Sequence, residues 1–208
     1  MKTEKAGKLK LAEIALLLAL AAFLTSGALA LQTEQELSDK VVRLHVLANS
    51  DSEEDQALKL KVRDRLLAYV EPILKGSTDR REAEAILRGQ LLELVRLAEE
   101  EIRDNGYSYH VTACLENTMF PTREYEGFTL PAGKYLALRI LIGEGAGQNW
   151  WCVVFPPLCA AAAGEVPATA LAAGLSTEQV GLITEENNGY ILKSKILEFW
   201  GELQTKFS

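Results

Sequence analysis

Two histidines and three cysteines carry most of the chemistry open to this 208-residue chain. His45, His110 and Cys114 are types that ligate zinc, and His110 and Cys114 lie four residues apart on one side of a strand pattern. No ligand pair among them has the spacing of a zinc motif. A Cys–His nucleophile needs its members to meet only in space. Cys114 or Cys159 with His45 or His110 therefore stays open as a thiol hydrolase, although neither cysteine lies in a local signature of such enzymes. Asp51 and Asp55 are i, i+4 acids at a helix start, where capping accounts for them. The glycine loop Gly143-Glu144-Gly145-Ala146-Gly147 leads into Trp150 and not into a helix. It therefore offers a phosphate no helix N-terminus and reads as a hairpin loop. G-x-S-x-G, H-E-x-x-H and P-loop patterns are absent. The expectation is no catalytic set, no cofactor, no metal and no small-molecule substrate.

The most informative stretch is Asn149-Trp150-Trp151-Cys152-Val153-Val154-Phe155-Pro156-Pro157-Leu158-Cys159. Residues 150–155 are apolar in both side-chain directions. In a strand this means burial on both faces, or one face in a core and the other awaiting a partner. Paired tryptophans are residues of binding hot spots as well as of cores.

The elements that position these residues follow from periodicity. Val41 to Ala48 alternates as a half-buried strand, with Arg43 and His45 on its more polar side. Asn49-Ser50-Asp51-Ser52 ends it and supplies N-cap candidates ahead of Glu53, Glu54 and Asp55. A helix over 53–74 carries Leu58, Val62, Leu66, Val70 and Ile73 on one stripe, and Pro72 should kink or end it. Asp79 with Glu82 resembles a capping box for a second helix over 79–105, closed by Asn105-Gly106. Strands follow near 107–115, 134–142 and 150–155. The order predicts an α+β fold. It consists of an antiparallel sheet of about four strands, a two-helix hairpin on one face and a C-terminal helix. Ser176 caps a short helix to about Glu186, and Ile191 to Phe207 carries a broad apolar face.

The N-terminus reads as an export signal. Lys2, Lys5, Lys8 and Lys10 precede the apolar run Ile14 to Leu24, and Ala28-Leu29-Ala30 is an A-x-A cleavage site. An eleven-residue helix rises about 16 Å, roughly half the hydrocarbon thickness. Cleavage after Ala30 is expected; an uncleaved anchor is the alternative. Removing residues 1–30 leaves 18 basic against 27 acidic residues, so the formal charge falls from −7 to −9. Such a balance disfavours nucleic acid or an anionic membrane surface as partner. The organisation expected is a signal peptide over 1–30, a linker over 31–40, the α+β core over 41–159, an alanine-rich linker over 160–175 and a helical segment over 176–208.

Three cysteines exclude a disulfide-dense scaffold. One bridge is possible, but an extended segment would hold the Cα atoms of Cys152 and Cys159 about 23 Å apart, beyond bridging distance. Buried free thiols are expected.

Three blocks carry a resemblance to a known family. They are VRLHVLANSDSEEDQALKLKVRDRLL from Val42, FPTREYEGFTLPAGKYLALRILIGEGAGQNWWCVVFPPLC from Phe120, and ILEFWGELQTKF from Ile196. Together they resemble stage II sporulation protein R of endospore-forming Firmicutes. The departure is Ala160 to Ala163, where an aromatic is expected directly after the cysteine. The resemblance implies a signalling protein and no enzyme. It would be made in the forespore and exported into the space between forespore and mother cell. There it would switch on a membrane-embedded aspartic protease that cleaves the pro-form of the mother-cell sigma factor, sigma-E. The partner-binding residues expected are Trp150 and Trp151, together with the turn Asn49, Ser50 and Asp51. The competing reading is an exported thiol or cell-wall hydrolase using a Cys–His pair.

Overall fold

The computed structural model describes residues 34–159 and 162–184, with residues 14, 16–21, 25 and 32 ahead of them. Within residues 1–36, a unit by themselves, the described residues are helical and Ile14, Leu16, Leu17, Leu18 and Leu20 are exposed. The expected cleavage pair Ala28 and Ala30 lies outside the described residues, as does the expected helix over 191–207. Among the described residues, no helix is long and apolar enough to cross a membrane.

From Leu37 onward the described residues form an α+β fold, as the element order implies. β1 (Val42–Leu47) is followed by α1 (Glu53–Leu74), α2 (Arg80–Asp104) and β2 (Val111–Phe120). A small hairpin of β3 (Arg123–Tyr125) and β4 (Phe128–Leu130) comes next, then β5 (Gly133–Ile142) and β6 (Asn149–Phe155). A 3-10 turn at Ala163–Glu165 leads into α3 (Val166–Ala172) and α4 (Thr177–Thr184).

Both long helices start as their caps dictate. Ser52 Oγ accepts from the Asp55 N–H at 3.2 Å, and Asp79 Oδ1 accepts from the Glu82 N–H at 3.0 Å. Glu82 reaches back to the Thr78 N–H at 2.9 Å. Pro72 lies within the last turn, and α1 continues two residues past it to Leu74. The stripes Leu58, Val62, Leu66, Val70 and Ala83, Leu87, Leu94, Ala98, Ile102 bury against Val42, Leu44, Val46, Leu136, Leu138 and Ile140 in one core.

The sheet is mixed and not antiparallel. Its order is β2-β5-β1-β6, with β1 parallel to β5 and antiparallel to β6. The expected β5–β6 hairpin is therefore absent, because β1 lies between the two strands. The reason is burial. Val42 to Val46 are all buried, so β1 is a central strand rather than a half-buried one, and a central strand needs neighbours on both sides. The excursion through α1, α2 and β2 is long enough to bring β5 back parallel to β1.

The face opposite the helices holds a second core of Leu37, Val41, Phe120, Phe128, Leu130, Tyr135, Val153, Leu158, Val166, Ala170, Val180 and Ile183. The hairpin β3–β4, which sequence periodicity did not show, contributes to it. Within 160–175, alanine-rich and expected to link, α3 buries Val166 and Ala170. Ser176 caps α4, accepting from the Gln179 N–H at 3.2 Å.

Cys152 and Cys159 form a disulfide, with Cα atoms 5.7 Å apart. The expectation of free thiols fails because the intervening chain is not extended. After a cis Phe155–Pro156 peptide it doubles back, and the Cys159 N–H donates to Val153 O at 3.2 Å. Cys114 is the free cysteine, half-buried.

Candidate functional site

The turn and the tryptophan strand, some hundred residues apart in sequence, meet at one end of the sheet. β6 enters the sheet where β1 leaves it, so Leu47 faces Asn149, Val46 faces Trp150 and His45 faces Trp151. The loop from β5 to β6 crosses the end of β1 and lies on the turn. The Ala146 N–H donates to Asn49 O at 3.2 Å, and the Gly147 N–H to Ala48 O at 3.0 Å. A Cβ on Gly147 would lie 2.1 Å from Ser50 O, and one on Gly143 would lie 2.3 Å from Asn49 Oδ1. Glycine is required at 147 by the close approach of two main chains, and at 143 by a positive φ of 56° beside the Asn49 side chain.

Behind the turn is a buried polar knot. Asp55 Oδ2 accepts from Asn49 Nδ2 at 2.8 Å and from Ser50 Oγ at 2.6 Å. Burial alone would raise the Asp55 carboxyl, but hydrogen bonds from Ser50, Asn49 and Tyr109 outweigh it and hold the group below the ordinary carboxylate value. Gln56 Nε2 donates to Ser50 O, and the buried Lys59 Nζ donates to Gln56 Oε1 and to Gln148 O at 2.9 Å. Desolvation lowers the Lys59 pKa. Of the three expected turn residues, Asn49 and Ser50 thus point inward and fix the turn. Asp51 is exposed.

The two tryptophans lie on opposite faces, each half-buried. Trp150 packs on the helix-side core with the Arg63 guanidinium 4.1 Å above its ring, and its Nε1 has no acceptor among the described residues. Trp151 packs on the second core with Arg123 4.0 Å above its ring. Contacts of this kind are cation–π attractions of a guanidinium for an indole face. The periodicity gave Arg63 and Arg123 no role, since both sit off the apolar stripes.

Next to Trp151 stands His45, 6% exposed. Its Nε2 lies 2.6 Å from Asn149 Oδ1, which fixes the proton there, and Nδ1 has no partner among the described residues. Burial holds the His45 pKa down, the Asn149 hydrogen bond working against it. Arg43, one step down the same face, is fully buried. It sits 4.0 Å from the Phe120 ring centroid and 5.1 Å from that of Tyr135, and donates to Tyr125 Oη at 2.5 Å. Its Nε and Nη1 meet no acceptor among the described residues.

These positions bear on the Cys–His reading. Cys159 is in the disulfide, and Cys114 lies in register with Arg139, which is in register with His45. Arg139 therefore stands between Cys114 and His45. Burial raises the Cys114 thiol, opposite to the shift that makes a nucleophile. The other histidine, His110, is 99% exposed and faces Glu99. Among the described residues, no group of three His, Cys, Asp or Glu side chains could hold a metal ion.

The sequence model of the family described as Stage II sporulation protein R matches residues 38–165, which include the turn, the glycine loop and the tryptophan strand. The chain belongs to the stage II sporulation protein R family. A curated relative, "Stage II sporulation protein R" of Bacillus subtilis (strain 168), is 39% identical over 123 residues. That alignment covers 59% of this chain and 55% of the relative, so the chain spans about half the length of the curated protein it matches. No solved structure matches the chain at a significant level. Family membership supports a function in sporulation.

Proposed function

We propose that this domain is an exported signalling protein of sporulation that activates a membrane-embedded aspartic protease by binding it. The protease then cleaves the pro-form of the mother-cell sigma factor sigma-E. In this reading the chain is made in the forespore and acts in the space between forespore and mother cell, contributing no catalytic group. Family membership carries the proposal, and the basic and apolar leader at residues 2–30 supports export. The separation of Cys114 from His45 supports a ligand over the thiol hydrolase.

The docking end is where the turn and β6 meet. Its solvent side presents Asp51, Glu144 and Asn149 together with the Arg63-capped Trp150 and the Arg123-capped Trp151. Activation requires that this surface bind the active conformation of the protease better than the inactive one. About 1.4 kcal/mol of difference shifts the population tenfold.

The test is co-expression of the full chain with the protease and the pro-sigma factor in a non-sporulating host, scored by the shortened sigma factor. Trp151→Ala should lose about 2 kcal/mol of binding, as an aromatic hot spot does, and Asp51→Lys should weaken processing without unfolding the domain. His110→Ala and Cys114→Ala should process normally. Loss of processing in either of these last two, with the fold intact, would overturn the ligand in favour of the hydrolase.

A further inference from the structure

The two edges of the sheet are finished differently. At the β6 edge, Val153 is closed off by its own chain: its N–H meets Cys159 Sγ at 3.2 Å and its C=O accepts from the Cys159 N–H. Among the described residues the β2 edge is open: β2 pairs with β5 along all ten residues, Val111 to Phe120, and no described strand lies on its other side. Because His110 O accepts from the Gly143 N–H, the even-numbered residues turn their main-chain groups toward β5. The odd-numbered residues Val111, Ala113, Leu115, Asn117 and Met119 then turn theirs outward. Glu99 Oε1 accepts the Val111 N–H at 3.3 Å; among the described residues nothing meets the other outward groups.

Natural edges are protected by lysine, proline, bulges or shortness. β2 has none of these. Its one charge, Glu116, is paired with Arg139 of β5, and Met119 is 69% exposed. The strand is long and regular, and its ladder charge is neutralised within the molecule.

We infer that the outer edge of β2 pairs antiparallel with β2 of a second copy of this chain, making one continuous eight-stranded sheet about a two-fold axis. The register follows from pairing chemistry. A two-fold centred on Glu116 sets Glu116 against itself, which like-charge opposition disfavours. A two-fold centred on Cys114 overlaps only residues 111–117. Centring on Leu115 overlaps 111–119, opposes Val111 to Met119, Ala113 to Asn117 and Thr112 to Thr118, and faces Glu116 with the second copy's Cys114. No like charges meet, and the outward N–H and C=O groups from 111 to 119 gain partners, apart from the Val111 N–H already held by Glu99 and the Met119 C=O that would face it. Self-complementary pairing of this kind closes after two copies, since each copy uses its single β2 edge.

The test is oxidative cross-linking of the full chain. With Glu116→Cys, the introduced thiol faces the second copy's Cys114 in a pair that is not hydrogen-bonded, where Cα atoms approach most closely. A copper–phenanthroline pulse should give a band at twice the monomer mass on a non-reducing gel, lost on reduction. It should be lost also when Cys114→Ser is added. Leu115→Pro removes an outward N–H without touching the β5 ladder, so it should abolish the band while far-UV circular dichroism is unchanged. A band that survives Cys114→Ser would overturn the register, and so would one formed by the wild-type chain through Cys114 alone. No band at any concentration up to 100-fold above that of the expressed protein would overturn the pairing itself. The Cys114 requirement decides the matter even if the proline variant fails to fold.

Discussion

The two faces of this sheet are built by different physics. On the helix side the buried residues of β1 are Val42, Leu44 and Val46, and they join one hydrophobic cluster with the stripes of α1 and α2. On the other side the same strand buries Arg43 and His45 among Phe120, Tyr125, Tyr135 and Trp151. The helix side gains from area removed from water. The opposite side buries a guanidinium with two unsatisfied nitrogens and an imidazole with one. Such groups oppose folding unless aromatic contact and packing of the side-chain stems offset them. The contrast assigns stability to the first face, and to the second a polar interior that favours one specific packing.

Two substitutions break the comparison if it is wrong. Leu66→Ala, fully buried on the helix side, should cost about 3 kcal/mol in urea unfolding, as core Leu→Ala changes do. Arg43→Met keeps most of the packing and removes the buried charge, so it should cost less, within about 1.5 kcal/mol of neutral. An Arg43→Met cost exceeding that of Leu66→Ala would mean that the guanidinium is matched by an acceptor and that the second face is not the weaker one.

The next effect in size is the covalent closure of β6. Cys152 and Cys159 are seven residues apart, and closing so short a loop in the unfolded chain is worth about 2.5 kcal/mol. Cys152→Ala together with Cys159→Ala should lower the urea midpoint accordingly, and a reductant should do the same to the wild type. A midpoint indifferent to reductant would show that the proline turn holds Cys159 against Val153 unaided.

Legibility in the sequence divides along the same line. The helix face could be read because both long helices announce themselves by caps and by stripes at 3.6-residue spacing. Their bounds fall within a residue of 53–74 and 79–105. The other face could not. β3 and β4 are three residues each, too short for an alternation to show. Arg43 and His45 looked solvent-facing because periodicity weighs polarity and does not register an aromatic box. The parallel pairing of β1 with β5 was hidden too: a glycine loop between two apolar strands suggests a hairpin, and only full burial of β1 reveals that a strand must lie between them. At the candidate site the types were legible and the directions were not. Asn49, Ser50 and Asp51 were singled out together, yet the first two serve Asp55 from inside.

The smallest effect is a pH dependence carried by His45 on the second face. Burial depresses the pKa of His45 in the folded chain, whereas in the unfolded chain it returns to about 6.5. Between those two values the unfolded chain binds a proton that the folded chain refuses, so protons favour unfolding there. The contribution of His45 is complete above about pH 6.5 and is lost as pH falls from that value toward the folded pKa. One proton gives at most about 1.4 kcal/mol per pH unit. Asp55 acts in a separate window. Its folded pKa lies below the ordinary carboxylate value, so its contribution holds above about pH 4 and is lost as the pH falls through the folded value. Unfolding free energy measured from pH 7.5 to pH 5 should therefore slope downward in the wild type and less steeply in His45→Phe, which keeps the ring contacts with Phe120 and Trp151 and cannot titrate. Equal slopes in the two proteins would mean that Nδ1 of His45 can reach water. The second face would then be looser around Trp151 than the helix face is around Trp150, at the very end of the sheet that the docking proposal uses.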